Sequence, residues 1–265
     1  MKTSTTRLII ILALVIGVAI GLFYPNPREK EQPLSSDINL STRSIAEEDC
    51  EEENTLACGG EEIVEEVEEM TSILSNSGTI TPAIIEEIKV NGFVQTNGTS
   101  KYLLVEYTDL ECPYCKELHN SQNTDYILQQ LLGGNADYVV KHYPKAFHTE
   151  ALPAHQILEC IAEQKGQSAY YNALDAYFKS NEKISLTLSD QVITSLDVNV
   201  EEIRSCLESG KYREKIFAHI GEAVGIFDAK YVPSTIIINT ENGKWISYVG
   251  NETVEAVERE LIAIE

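Results

Sequence analysis

The sequence predicts an α/β domain with a helical insertion, and three observations carry that prediction. Two apolar strand patterns flank a helix between residues 102 and 143, a helical pattern fills about 150–224, and two more strands and a helix close the chain. The order is β-α-β, a helical block, then β-β-α, with no internal repeat.

Each element has its own signals. Tyr102-Leu-Leu-Val-Glu-Tyr107 reads as a buried strand, followed by a loop from Thr108 to Glu111. A helix is expected from about Cys112 to Leu132, where Gly133-Gly134 stops it. Asp137-Tyr-Val-Val-Lys-His-Tyr143 is a second strand closed by Pro144. Within the helical block, Asn199 and Glu202 have capping-box spacing and Gly210 ends that helix. Ser234 to Asn239 is a β-branched run and a third strand. Asn242-Gly243 then turns the chain into Lys244 to Val249, and Thr253 to Ile264 is the closing helix. The folded domain is expected to span 88–265.

Upstream, the composition changes. Lys2 and Arg7 precede an uncharged apolar run from Leu8 to Phe23, so residues 1–24 read as a signal anchor or a cleaved signal peptide. The run is close to the lower limit for a bilayer span, roughly 17 residues. Either way the basic residues place the following chain on the extracytoplasmic side. The expected location is therefore a cell membrane, single-pass, or a secreted or periplasmic space after cleavage. Residues 25–87 read as an acidic tether, with a possible short amphipathic helix over 61–74 carried by Ile63, Val67, Met70 and Leu74. Of the formal charge of −22, a net −12 lies between Arg28 and Met70, where 15 acidic residues face 3 basic ones. Nucleic acid is excluded as a partner, because phosphate binding needs clustered Lys and Arg. Six cysteines are expected to sit in an oxidising space.

The chemical centre is Cys112-Pro113-Tyr114-Cys115, placed where a strand and loop give way to a helix. A thiolate there is favoured by the free N–H groups and partial positive charge of the helix start. Pro113 suits the first turn, where a missing N–H costs nothing. Cys112 is expected to be the exposed nucleophile and Cys115, one turn deeper, the resolving thiol. Zinc is the rival reading of C-x-x-C, but no second such pair exists and His119 reads as a surface residue, so no metal and no cofactor is expected. Glu106 sits inside the first apolar strand, where a carboxylate is costly unless paired or neutral; Lys141 is its expected ion partner, and proton exchange with Cys115 its expected role. His142, His148, His155 and His219 are expected to be structural.

With those residues stated, the stretch from Tyr102 to Glu265 resembles the DsbA-like branch of the thioredoxin superfamily. The likeness is carried by Val105-Glu-Tyr-Thr-Asp-Leu-Glu-Cys-Pro-Tyr-Cys115, His142-Tyr-Pro144, Leu158-Glu-Cys-Ile-Ala162 and Val232-Pro233. It implies a thioredoxin-like fold with its helical insertion at about 147–224 and a catalytic Cys112–Cys115 pair. It further implies that Glu106 is a buried acid and Pro233 a cis-proline facing the pair. Val232, with Pro113 and Tyr114, would then meet substrate. Two positions depart from the commonest pattern: Val232 where many members have Thr, and Tyr114 where the best-known oxidases have His.

The resemblance implies donation of disulfides to exported proteins with free thiols, and recharging by a quinone-linked membrane protein of DsbB or VKOR type. A reductase or isomerase on the same scaffold is the alternative activity, and a non-catalytic binding module the alternative class. Cys160 and Cys206, on two segments of the helical block, are expected either to form a structural disulfide or to be buried free thiols. Cys50 and Cys58 close a small loop, pair between chains, or form a second redox pair.

Overall fold

A computed structural model describes residues 76–96 and 98–265. The apolar run at 1–24, Cys50, Cys58 and the helix expected at 61–74 lie outside the described residues. Five strands form one sheet: β1 (Asn76–Thr79), β2 (Tyr102–Thr108), β3 (Ala136–His142), β4 (Ser234–Asn239) and β5 (Lys244–Val249), in the order β1-β5-β4-β2-β3. Only β2 and β3 run parallel; the other pairings are antiparallel. All seven residues of β2 are buried, because β3 and β4 cover both its edges and helices cover both its faces.

Side-chain alternation sorts the sheet into two layers. Leu103, Val105 and Tyr107 face one way and pack with Ile236 and Ile238 against α1 (Pro82–Val90) and a long helix ending in Phe227. Phe227 meets Trp245 edge-on at 5.0 Å between ring centroids, a contact worth about 0.5–1.5 kcal/mol beyond its buried area. Tyr102 and Leu104 face the other way, with Ile237 and Ile246, toward Ile127, Leu132 and Val257. Gly243 closes the β4–β5 turn at φ 73°, and a Cβ there would sit 2.1 Å from the Ile80 carbonyl oxygen. Only glycine fits that position.

The fold begins upstream of the expected start at residue 88. β1 pairs with β5, and α1 buries Ile85 and Ile88 after an N-cap at Thr81 and Pro82 in the first turn. The helix expected to run unbroken from Cys112 to Leu132 is interrupted. It forms α2 (Pro113–Asn120), an extended Ser121, then α3 (Asn123–Tyr126) and a widened turn over Ile127–Leu131. The cause is local: the Ser121 hydroxyl donates to the Leu118 carbonyl and accepts from the Asn123 N–H, replacing helical bonds.

The helical block comprises α4 (Ala151–Lys165), α5 (Gln167–Lys179), α6 (Leu186–Ser195), α7 (Val200–Ser209) and α8 (Arg213–Phe227). The first four share one apolar core, whereas α8 buries Ala223 and Phe227 against the sheet and so belongs to the sheet layer. Asn199 caps α7 by accepting from the Glu201 and Glu202 N–H groups, and Gly210 ends it at φ 65°. Cys160 of α4 and Cys206 of α7 form a disulfide. The closing helix is α9 (Val254–Leu261), extended by one tight turn to Ile264.

Candidate active site

The strand–loop–helix connection from β2 to α2 builds the site. Cys112 is the N-cap residue of α2, with Pro113 at the first helical position. Both cysteines are free thiols; Cys115 is completely buried, and Cys112, expected to be exposed, is largely buried as well, because the Val232 loop lies against its Sγ. Their environments push them apart. A hydrogen bond from Cys115, helped by the backbone N–H groups of Cys115 and Tyr114, brings Cys112 down from 9.0 to about 6, against the opposing cost of burial and the Asp109 charge. Burial, followed by the neighbouring Cys112, drives Cys115 far above the ordinary thiol range, and the Thr108 hydroxyl and Asp109 amide oppose this only in part. Cys112 is therefore the more acidic of the two thiols, and the one that supplies a thiolate near neutral pH.

Opposite the pair lies the Val232-Pro233 loop, with a cis peptide bond. The Cys112 thiol donates to the Val232 carbonyl, Sγ to O, at 3.7 Å. The loop is fixed from behind: the Gly250 N–H donates to the Pro233 carbonyl at 2.9 Å and the Ser234 hydroxyl to the Tyr231 carbonyl at 2.8 Å. Tyr114 and Tyr231 stand exposed on either side. A cleft of about 400 Å³ opens beside Cys112 and Pro113, bordered by Lys116, Tyr177, Glu182 and Ile184.

Glu106 is buried in an interior strand, between β4 and β3, not on a sheet edge. Its partner is Tyr138, whose hydroxyl donates to Oε2 at 2.8 Å, while Oε1 has no partner among the described residues. Burial raises its carboxyl from 4.5 to about 7, and the Tyr138 bond opposes the rise. The expected pairing with Lys141 does not occur. Glu106 lies opposite Val140, so Lys141 points to the other face of the sheet. There it pairs with Glu222 at 3.0 Å, and Glu222 also accepts from the Tyr107 hydroxyl at 2.6 Å. Glu106 shares its face with Thr108, about 7 Å along the strand, and lines a cleft under α2 together with His119, Asn120 and Tyr171. His119 is half-buried against Phe178 and Asp175 rather than lying on the surface.

Asp109 is the site residue that sequence reasoning missed. It is fully buried, and its carboxylate accepts from the Glu111 and Lys145 N–H groups and from His148 Nδ1, at 2.7–2.8 Å. Its carbonyl accepts from the Cys112 N–H, and its own N–H donates to Cys115 Sγ at 3.4 Å. Glu111 in turn accepts from the Glu150 and Ala151 N–H groups, capping α4. The available signal was electrostatic: two acids in a loop that presents a thiolate are costly unless the backbone uses them. Among the described residues no group of His, Cys, Asp and Glu is arranged to hold a metal ion.

With this geometry in place, the comparisons are specific. A family model described as thioredoxin matches residues 90–258. No curated protein sequence matches the chain. Among solved structures, alpha-DsbA1 from Wolbachia pipientis is 17% identical, with a TM-score of 0.53 over 66% of this chain and 90% of its own. Oxidised BdbD from Bacillus subtilis is 12% identical, TM-score 0.55, over 71% and 97%. A periplasmic thioredoxin-like protein from Salmonella enterica serovar Typhimurium is 18% identical, TM-score 0.52, over 70% and 99%. The family match over most of the chain, on a sheet and helical insertion shared with these proteins, makes this chain a member of the thioredoxin family with the DsbA-like fold.

Proposed function

We propose that the chain is an extracytoplasmic thiol–disulfide oxidoreductase that donates the Cys112–Cys115 disulfide to exported proteins. The observation that carries this is the asymmetry of the pair: a thiolate-stabilising helix start at Cys112 beside an open cleft, above a buried Cys115. Stabilising the Cys112 thiolate stabilises the reduced pair, and that makes its disulfide oxidising. A substrate thiolate attacks Cys112 Sγ, forms a mixed disulfide and expels Cys115. The substrate's second thiolate then attacks the mixed disulfide, forming the product disulfide and releasing the Cys112 thiolate. Two electrons have passed to the enzyme, and a quinone-linked membrane oxidant of DsbB or VKOR type is the proposed acceptor.

Cys115 leaves readily only if it is protonated as the bond breaks. Glu106, half-protonated near neutral pH and on the same strand face as Thr108, is the proposed proton source, with the Thr108 hydroxyl or a water spanning the gap. Val232 is proposed to pair its backbone with an extended substrate, Pro233 to wall the site without a reactive group, and Pro113 and Tyr114 to touch the substrate.

The Cys160–Cys206 bond supports an oxidising compartment, as do the apolar run at 1–24 and the periplasmic Salmonella relative. Among the described residues no helix is long and apolar enough to cross a membrane, so membrane attachment is a proposal for residues 1–24. Equilibrating the Cys112–Cys115 pair with glutathione tests the reading. A strongly oxidising value is expected, and a value in the reducing range of thioredoxins would turn the assignment to a reductase.

A further inference from the structure

Behind the site runs a buried chain of polar side chains that the exchange chemistry does not use. Lys215 Nζ donates to Glu159 Oε2 at 2.8 Å, and His142 Nε2 lies 2.8 Å from Glu159 Oε1. His142 Nδ1 lies 2.8 Å from His155 Nδ1, and His155 Nε2 accepts from the Leu110 N–H at 3.4 Å. His142, His155 and Glu159 are buried, and only Lys215 reaches solvent.

The hydrogen bonds assign the protons. A ring nitrogen that accepts from an amide carries no proton, so neutral His155 is protonated at Nδ1. It donates from there to His142 Nδ1, which leaves His142 protonated at Nε2 and donating to the Glu159 carboxylate. Burial keeps both rings neutral, and for His142 the Lys215 and Lys141 charges add to that effect. The His142 ring also stacks on His219 and meets Tyr170 edge-on, so it has little freedom to turn.

The end point of this chain gives it meaning. His155 is the acceptor for the Leu110 N–H, two residues before Cys112. The neighbouring Asp109 supplies one backbone contact to each cysteine: its carbonyl holds the Cys112 N–H and its N–H holds Cys115 Sγ. We propose that His155 is a positioning residue: the Lys215–Glu159–His142–His155 chain fixes the Asp109–Leu110 backbone and so sets the acidity of the Cys112 thiol and the potential of the pair. This inference rests on the exchange function proposed for Cys112 and Cys115.

The test uses the full-length chain carrying His155→Leu, which removes both ring contacts, and His155→Gln, which offers one acceptor and one donor. Iodoacetamide alkylation of the reduced protein against pH reads the Cys112 midpoint, and equilibration with glutathione reads the pair. His155→Leu is expected to raise the midpoint and make the disulfide less oxidising by about fivefold, the size of one lost hydrogen bond, and His155→Gln to recover most of this. A purely structural histidine would lower the melting temperature and leave both readings alone. A folded His155→Leu variant with wild-type midpoint and equilibrium overturns the inference while leaving the exchange function intact. A wild-type chain with an ordinary thiol midpoint and no exchange removes the function itself. If His155→Leu fails to fold, histidine nitrogen spectra of the wild type decide. The Nδ1–H form of His155, with an Nε2 resonance that moves between reduced and oxidised protein, is expected. The Nε2–H form, or a resonance blind to the redox state, overturns the inference.

Discussion

Cys112 and Cys115 share one helix start, whereas Cys160 and Cys206 lie 46 residues apart in the interiors of two helices. The first pair has free N–H donors, a carbonyl facing it and a cleft beside it. The second also lines a cleft, with Glu163 and Glu202 among its walls, but it lacks the donors: mid-helix N–H groups are already spent on helical bonds, and Cys206 Sγ faces the Glu163 carboxylate, which disfavours a thiolate. The same side chain is thus held as a stabilised thiolate in one place and locked in a disulfide in the other, and the difference comes from neighbouring groups and backbone position.

The sharpest way to break this contrast is to remove the proposed nucleophile. Cys112→Ser is expected to reduce exchange to background, whereas Cys115→Ser cannot form the enzyme disulfide but keeps the Cys112 thiolate, which attacks disulfides of oxidised substrate, displaces one substrate thiolate and accumulates mixed disulfides that no second thiol resolves. Mass mapping after brief alkylation of the reduced wild type at mildly acidic pH provides the check: Cys112 should carry the label. Labelling of Cys115 first would reverse the assignment.

The buried acid comes next. Glu106→Gln keeps an acceptor for Tyr138 but cannot supply a proton, and exchange at neutral pH is expected to fall by about tenfold to a hundredfold. Stability moves the other way. A carboxyl held at about 7 in the fold and 4.5 in the unfolded chain binds more protons when folded, so it costs stability as pH rises through that window. Glu106→Gln should therefore gain up to about 3 kcal/mol over wild type above pH 7 and nothing below about pH 4.5, as read by urea unfolding. A pH-independent difference would show that Glu106 is not the titrating group.

Cys112 carries the opposite sign. Its folded value near 6 lies below the unfolded 9.0, so it stabilises the reduced protein fully above about pH 9, and that stabilisation is lost as pH falls through about 6. The stability of the reduced form relative to the oxidised form should rise between those limits. Unfolding both forms at pH 5 and pH 8 tests this, and equal differences at the two pH values would mean that neither the Cys115 hydrogen bond nor the helix-start N–H groups stabilise the thiolate.

How much of this was legible follows from what a one-dimensional pattern can hold. Cys112 at a strand-to-helix junction, the Asn199 cap and the Asn242-Gly243 turn are local, and local chemistry decides them. The partner of Glu106 was not local. Choosing between Tyr138 and Lys141 needs the register of β2 on β3, and a shift of one residue exchanges the two faces. β1 was illegible because Asn76-Ser-Gly-Thr79 is exposed throughout and shows no alternation; it is a strand through its pairing with β5. α1, by contrast, did carry a signal, in Thr81, Pro82 and the spacing of Ile84, Ile85 and Ile88. The thirteen-residue separation of His142 and His155 means nothing until a strand and a helix are packed together.

The smallest effect on exchange is expected from the second cysteine pair. Replacing both Cys160 and Cys206 by Ala frees a closure of 46 residues, for which chain entropy predicts a loss of about 4 kcal/mol in stability. Exchange should nevertheless stay within about twofold of wild type, as is usual for sites that share no partner. The demanding point is that Cys160 adjoins Glu159, the second member of the chain that reaches Leu110. Glu159 is held by Lys215 from α8 and by His142 from β3, and neither contact depends on α7. Removing the tie between α4 and α7 should therefore loosen α7 without moving Glu159. The measurements are denaturant unfolding, for the expected loss, and the alkylation midpoint of Cys112, which should not move. A midpoint that rose with the double variant would mean that the bond between α4 and α7 also tunes the thiolate, and the separation of the two cysteine pairs into a working one and a fastening one would fail.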